Sequence, residues 1–420
     1  MELSPNADKI FKMKYAQKRN NGQLEDWSQA CVRVADHISK AELNEADRLQ
    51  YLADFTKIMM ERTFIPGGRI LANAGTNIKN LMNCFVLPIK DSRQSIYATL
   101  RNAAEVFAWG GGIGYNFSHL RETGAPVSTT GGTASGPLSF MSLFDQTGEV
   151  ISQASRRGAQ MGILNVDHPD VMRFINYKNE LNTRNQRLFE EYIRNLEINK
   201  LDRKGKKYFE VMRKTLADDQ LTHFNMSVGI FDAFMQAVLN NEEWVIEGYD
   251  SSLTKLDSHD IMRAIAENAW LNGDPGVFFI DRANEDNMVP YLGDIEATNP
   301  CGEVPLLPYE ACCLGSINVE RFIEGEYVDF AYLKEVVRFA VRFLDNVHEI
   351  NETPVPEINE AIRMTRRLGL GVMGWADALE EAGIPYDHDD AFILAEMIAK
   401  AIQKTAWEAS MELAEERGEF

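Results

Sequence analysis

Between residues 1 and about 62, charged residues separate apolar ones at helical spacing. Val34 and Ile38 are followed by Leu43, Leu49, Leu52, Phe55, Ile58 and Met59, with no Gly or Pro from residue 23 to residue 65. The pattern predicts a small helical N-terminal region over 1–62. From Phe64 onward, short apolar runs alternate with glycine clusters: PGGR at 66–69, WGGGIGYNFS at 109–118, TTGGTASGP at 129–137 and SRRGAQMGIL at 155–164. Such clusters place backbone-rich loops at strand ends, where the chain can approach a ligand closely. Helical stretches intervene. The clearest covers 332–350, where Leu333, Val336, Val337, Ala340, Phe343, Leu344 and Val347 fall on one stripe. Alternating strand and helix signals predict an α/β body over 63–420 rather than a bundle or a sandwich. Residues 177–220 interrupt it, being rich in Arg, Lys, Glu and Asn with Leu188, Tyr192, Leu196, Phe209 and Met212 at roughly helical spacing. They read as an inserted helical hairpin.

Composition narrows the class. With 420 residues, 45% hydrophobic and 25% charged, the chain can bury a substantial core as one large domain or two ordinary ones. A formal charge of -20 argues against a nucleic-acid or anionic-membrane surface, which needs clustered Lys and Arg, so any phosphate must be held in a local pocket. The opening MELSPNADKIFKMKYAQ lacks the apolar core of a signal peptide, and no stretch approaches the roughly 18 apolar residues of a membrane span. A cytoplasmic location is expected. Five cysteines, Cys31, Cys84, Cys301, Cys312 and Cys313, are too few and odd in number for a disulfide framework, which leaves reduced thiols with a chemical task. Cys31 sits in the helical region with no partner motif and reads as a core thiol.

The chemistry concentrates late in the chain. Asn299-Pro300-Cys301-Gly302-Glu303 sets an amide, a thiol and a carboxylate on alternate residues, on one face if the segment is extended. A thiol beside a carboxylate is able to move a proton or a hydrogen atom; a buried Cys in a Pro-Gly turn is the plainer reading. YEACCLGSIN at 309–318 then adds two thiols. Vicinal Cys312 and Cys313 do not fit the zinc-ligand spacing of about two to four residues, and none of the seven histidines supplies a partner motif, so no metal site is expected. A cysteine hydrolase would need an identifiable His base and oxyanion donors, which the sequence does not assign.

The string NPCGEVPLLPYEACCLGSIN, followed by VRFLDNVHEIN (341–351) and RRLGLGVMGWAD (366–377), resembles the catalytic chain of ribonucleotide reductases. Upstream blocks agree in order: FIPGGRILANAGT (64–76), NCFVLP (83–88), GGGIGYNFSHLRETG (110–124), SGPLSF (135–140), SRRGAQMGILNVDHPDV (155–171) and FNMSV (224–228). The likeness runs from about residue 60 to the last residue. It implies the family's ten-stranded α/β barrel, with Cys301 on a loop tip inside it, and reduction of ribonucleoside diphosphates or triphosphates at the 2'-carbon.

Residue by residue, the resemblance matches Cys301 to the thiyl-radical cysteine. Asn299 and Glu303 match groups that bind the ribose hydroxyls, with Glu303 as base at the 3'-hydroxyl. Cys84 and Cys312 match the dithiol that reduces the 2'-position and closes to a disulfide, since loss of the 2'-hydroxyl as water needs a proton and two electrons. Asn83, Gly112 and Gly114 match positions near the substrate. Asp91 matches an effector contact, and the loops at 118–135 and 155–162, with Arg157 and Gln160, match those that relay the identity of a dNTP or ATP effector. Cys313 has no counterpart thiol in many relatives and reads as a small packed residue.

PGGRILANAGT, NPCGE and RRLGLGVMGWAD are most similar to the adenosylcobalamin-dependent class; the alternative is a class that receives its radical from a separate subunit. Asp257-Ser258-His259 approaches a DxHxxG cobalamin motif but has Met262 in place of the glycine, a motif the adenosylcobalamin-dependent class does not use. The resemblance further implies a homodimer and a thioredoxin- or glutaredoxin-like reductant. Absence of an N-terminal ATP cone is expected, as is a C-terminal segment, supplied in cis or by another polypeptide, that carries the phosphate loop and a cysteine tail. A rival reading is a catalytically incomplete nucleotide-binding regulatory protein.

Overall fold

A computed structural model of the chain describes residues 3–128, 131–153, 156–178, 205, 221–325 and 327–420. The helical hairpin expected within 177–220 therefore lies almost wholly outside the described residues. The chain forms two compact units, Met1–Cys84 with Glu310–Phe420, and Phe85–Tyr309.

The first unit opens with helices Pro5–Lys14, Trp27–Ser39 and Glu45–Met60. Asp26 and Gln29 form a reciprocal capping box at the start of the second, and the Asn44 side chain accepts from the Asp47 N–H at the start of the third. That break between helices corrects the apolar stripe read through it. Val34, Ile38, Phe55, Ile58 and Met59 are buried, whereas Leu43 lies in the connecting turn and Leu49 on the outer face, both exposed. The periodicity restarts with a new phase at Asn44, so a count carried across it misplaces both leucines.

Around the strand Ala311–Asn318 the same unit builds its sheet. Phe64–Pro66 pairs with it antiparallel and Leu368–Met373 parallel. A parallel neighbour needs a crossover, and the chain from Asn318 to Leu368 contains helices Phe330–Ile350 and Pro356–Thr365. The seven-residue apolar stripe of the long helix is buried throughout, and Asp329 caps its first turn by accepting from the Tyr332 N–H at 2.9 Å. Gly315 permits the packing, because a Cβ there would stand 2.4 Å from the Phe64 ring.

The second unit carries four parallel strands in the order Gly112–Asn116, Gln160–Asn165, Phe224–Ile230 and Gly276–Phe279. Helices Arg93–Ala108, Pro137–Val150, Val171–Asn176, Asp232–Asn240 and Ser258–Asn272 accompany them. Tyr115, Phe117, Phe144 and Phe224 pack as one aromatic cluster with ring centroids 5.0 to 6.2 Å apart. Parallel strands with helical connections make the α/β class predicted from alternation the observed one. Among the described residues, no helix is long and apolar enough to cross a membrane.

A buried charge network ties the ends of the first unit together. The fully buried carboxylate of Glu42 accepts from Arg342 (2.6 Å), Asn346 (2.7 Å) and Arg417 (3.2 Å), and Arg417 also pairs with Asp345 at 2.6 Å. Burial pushes the Glu42 carboxyl up, but the hydrogen bonds from Arg342 and Asn346 and the charges of Arg342 and Arg417 outweigh it and hold the group below the usual glutamate range. Glu42→Gln should destabilise this unit by about 2 to 3 kcal/mol at neutral pH, since it leaves two buried guanidinium groups short of a counter-charge. A depressed carboxyl contributes stability above its unfolded pKa of ~4.3 and loses it as pH falls through the lower folded value. Urea unfolding should therefore show a wild-type advantage at pH 7 that shrinks toward pH 3; a constant gap would show that the charge is not the source.

Candidate active site

The second unit presents Cys301 on a short hairpin, Ala297–Thr298 paired with Pro305–Leu306. The intervening residues are not extended but form the plainer Pro-Gly turn, and the correction is that Cys301 in it is exposed rather than buried. The Gly302 N–H donates to the Asn299 carbonyl (3.1 Å), the Asn299 N–H to the Val304 carbonyl (3.2 Å), and the Val304 N–H to Asn299 Oδ1 (3.0 Å). Pro300 with its fixed φ and Gly302 at φ +85° favour this tight turn over a strand. Asn299 is buried at 1% exposure, and its side-chain oxygen serves the turn itself, while Cys301, Gly302 and Glu303 are exposed.

The hairpin is held along its length. At Gly114 a Cβ would fall 1.6 Å from the Thr298 carbonyl oxygen, and at Gly112 it would fall 2.8 Å from the Pro300 ring. The space at both glycines is thus filled by the hairpin, so their missing side chains seat the turn. Asn116 Nδ2 donates to the Glu296 carbonyl at 3.0 Å, and His119 Nε2 meets Glu296 Oε2 at 2.8 Å, an interaction that raises the imidazole pKa. Asn225 Nδ2 donates to the Pro300 carbonyl at 2.6 Å. Partial burial, with the Glu303 charge added, raises the Cys301 thiol pKa. At neutral pH the sulfur therefore carries its hydrogen.

In the first unit Cys84 and Cys312 are buried neighbours. The Asn83 N–H donates to the Cys312 carbonyl at 3.4 Å, and Gly67 lacks a Cβ where one would stand 2.7 Å from Asn83 Nδ2. Burial raises the Cys312 thiol pKa strongly; negative charge on Cys313, Cys84 or Glu310 would push it further and Arg367 opposes. Arg367 is bound to the buried Glu310 through Nε, at 3.1 and 3.2 Å from the two carboxylate oxygens. Cys313 is fully buried, donating to the Leu344 carbonyl at 3.4 Å with His348 Nε2 at 3.5 Å. Burial holds that imidazole near a pKa of about 3, hence neutral, and the thiol protonated. Cys31 is a core thiol, pushed up to about 12 by burial. Of the five cysteines, Cys301 alone is exposed.

Asp91 lies in the second unit on a polar cavity of about 410 Å³ shared with His119, Arg121, Glu122, Asp167 and Tyr249. Arg121 Nε pairs with Asp91 at 2.7 Å while its guanidinium lies 4.4 Å over the Tyr249 ring. The loop at 118–135 thus supplies part of the wall beside Asp91. Gln160 is placed differently from a solvent-facing effector contact: it is fully buried, donating to the Phe144 carbonyl at 3.0 Å. Arg157 belongs to a two-residue strand paired with Ser152–Gln153, and its side chain lies outside what the structure describes. Among the described residues, no group of three or more His, Cys, Asp or Glu side chains is arranged to hold a metal ion.

Two sets of polar side chains beside the site escaped the sequence reading. Asn225 and Arg367 stand in quoted blocks, FNMSV and RRLGLGVMGWAD, and Glu310 in YEACCLGSIN, but their partners are distant in sequence. No periodicity or spacing signals a hydrogen bond from 225 to 300 or an ion pair from 310 to 367.

Comparison with known proteins agrees with this geometry. A family model described as the ribonucleotide reductase barrel domain matches residues 82–420, and one described as the ribonucleotide reductase all-alpha domain matches residues 1–79. A vitamin B12-dependent ribonucleoside-diphosphate reductase of Mycobacterium tuberculosis is 42% identical over 404 residues, covering 96% of this chain and 53% of the relative. One so named from Thermoplasma acidophilum is 37% identical over 423 residues, covering 100% and 50%. A ribonucleoside-diphosphate reductase subunit alpha of Chlamydia trachomatis is 29% identical over 398 residues, covering 93% and 37%. The chain spans about half the length, or less, of these curated relatives. With the two family models together matching residues 1–79 and 82–420, and an exposed thiol on a hairpin seated by two glycines, the chain belongs to the ribonucleotide reductase family.

Proposed function

We propose that this chain is the catalytic part of a ribonucleotide reductase that acts on ribonucleoside diphosphates by thiyl-radical chemistry, with adenosylcobalamin as radical source. The observation that carries the reading is the partition of the thiols: one exposed and protonated on a clamped turn beside a carboxylate, and two buried side by side in the other unit.

The proposed sequence balances atoms and electrons. The Cys301 thiyl takes the ribose 3'-hydrogen, breaking C–H and forming S–H. Glu303 accepts the 3'-hydroxyl proton as the 2'-hydroxyl leaves as water, protonated by one thiol of the Cys84 and Cys312 pair. The second thiol gives a hydrogen atom to the 2'-carbon, the remaining electron passes to the 3'-position as Glu303 returns its proton to the 3'-oxygen, and the pair is left as a disulfide; Cys301 then returns its hydrogen to the 3'-carbon, regenerating the thiyl. Asn299, whose Oδ1 closes the turn, is the neighbouring amide assigned to the ribose. Asn83, Gly112 and Gly114 contribute by holding the backbone around these groups.

The residues present fit the cofactor in one respect that can be tested on the structure. A bulky radical source must reach Cys301 directly, and among the described residues nothing lies within 4 Å of where a Cβ on Gly302 would stand. The exposed thiol and the open space at Gly302 leave room for such a group to approach. Adenosylcobalamin, when bound, supplies a carbon-centred radical able to remove the thiol hydrogen. The names of the Mycobacterium and Thermoplasma relatives favour this source over a separate radical-generating subunit.

Control by a dNTP or ATP effector is assigned to the Asp91 cavity, with Arg157 from the neighbouring loop and Gln160 acting from within the core. The remaining partners follow from the resemblance: a second copy of the chain and a thioredoxin- or glutaredoxin-like reductant for the disulfide.

Two results test the proposal. With adenosylcobalamin, wild type should form deoxynucleotide and Cys301→Ser should form none, with an unchanged melting profile; turnover by the variant would remove the thiyl assignment, and turnover only with an added metal-containing subunit would change the radical source. Peptide mapping after turnover without reductant should recover one disulfide, between Cys84 and Cys312; a Cys312 to Cys313 bridge, or Cys84 always reduced, would refute the pair.

A further inference from the structure

We propose that Asn225 is a positioning residue for the Cys301 thiol, acting through the carbonyl of Pro300; the inference rests on the thiyl reading above. The backbone dihedrals on either side of Cys301 decide where the sulfur points. The pyrrolidine ring fixes φ at Pro300, and that ring is lodged against Gly112. On the far side of Cys301 the Gly302 N–H is tied to the Asn299 carbonyl. One soft backbone angle is left immediately before the cysteine, ψ of Pro300. It sets both the direction of the Pro300 carbonyl and the direction in which the chain departs toward the Cys301 Cα.

Asn225 holds that carbonyl. Its amide donates at 2.6 Å from the second residue of the parallel strand Phe224–Ile230, itself fixed between Gln160–Asn165 and Gly276–Phe279. Strand alternation buries Phe224 and Met226 and turns Asn225 outward. The orientation of the amide is set by chemistry, because a carbonyl oxygen only accepts and the NH2 must face it. An exposed polar residue on a strand has no packing reason to be Asn, a residue depleted in strands. Hydrogen-atom transfer is sensitive to displacements of about 1 Å, so a swing of the 300–301 peptide would misplace the sulfur while leaving the hairpin folded. None of the anchors at Gly112, Gly114, Asn116 and His119 constrains this angle directly.

The test uses the full chain and reads the turn and the chemistry separately. In Asn225→Ala, hydrogen exchange of the amides of Gly302 and Val304 should accelerate about tenfold, with the melting temperature within a few degrees of wild type because the residue is exposed. In the reconstituted enzyme kcat should fall at least tenfold and the substrate KM stay within about twofold. Asn225→Asp supplies a readout that a merely structural role would not move. Protonated, the side chain donates to the Pro300 carbonyl as the amide does; ionised, it faces the carbonyl with a like partial charge. Exchange at Gly302 and Val304, relative to wild type at each pH, should be near normal at about pH 3, below the usual aspartate pKa of ~3.9, and accelerated at about pH 8. Exchange indistinguishable from wild type in both variants overturns the proposal, as does accelerated exchange with unchanged kcat. An inactive wild-type enzyme would instead remove the thiyl reading, and would be recognised because the wild type itself fails.

Discussion

The contact on which the candidate site depends is the Thr298 carbonyl laid directly on the backbone of Gly114, so close that a Cβ there would stand 1.6 Å from the oxygen. No flexible side chain can give way at that point, because both partners are backbone. The consequence is a hairpin that takes its position from the parallel strand beneath it rather than from its own two-residue strands, which are too short to be stable alone. Gly112, Asn116 and His119 repeat the attachment along the same strand and its extension. Cys301 can therefore be exposed and yet fixed. A reactive thiol needs access, and a hydrogen-transfer thiol also needs a defined direction. The glycines reconcile the two demands by moving the rigid support to the buried side of the turn.

Burial sorts the five cysteines by chemistry. Burial keeps the thiols of Cys31 and Cys313 protonated, with Arg33, Asp26 and Glu25 within electrostatic reach of the first and Asp345 and Arg366 of the second. Cys312 is also buried, but it has Cys84 beside it and the Arg367 to Glu310 ion pair within electrostatic reach. Adjacent residues on one strand thus face different environments, the alternation of the pleat separating the thiol near Cys84 from the one against His348. Vicinal cysteines that look redundant in the sequence are assigned to opposite faces of a single sheet.

How much was legible before the structure follows from the range of each signal. The long helix was readable in full because its stripe is a local property, and Leu333 to Val347 are buried as spaced. The α/β class followed from alternation over tens of residues. The stripe through Leu43 and Leu49 misled because a helix break resets the phase, and only the Asn44 cap marks it. The thiols and the Asn, Cys and Glu of the turn were found through motif resemblance, and the Pro-Gly turn was the plainer local reading; what it missed is that Cys301 is exposed rather than buried. Gln160 was placed at an effector contact from its loop, yet the residue opens a strand and its side chain points into the core.

What stayed illegible has one physical cause. Asn225, Arg367 and Glu310 act through single polar contacts between segments far apart in the chain, and such contacts leave no periodicity. Their cost of formation is set by the fold, which has already ordered the strands before the side chains meet, so little additional entropy opposes them. A donor delivered by a rigid strand can then fix one dihedral of a turn whose remaining angles are set by a proline ring and a glycine. The turn needs few hydrogen bonds of its own because its neighbours supply the missing constraint, and this division of labour leaves the carboxylate of Glu303 and the sulfur of Cys301 free for a ligand.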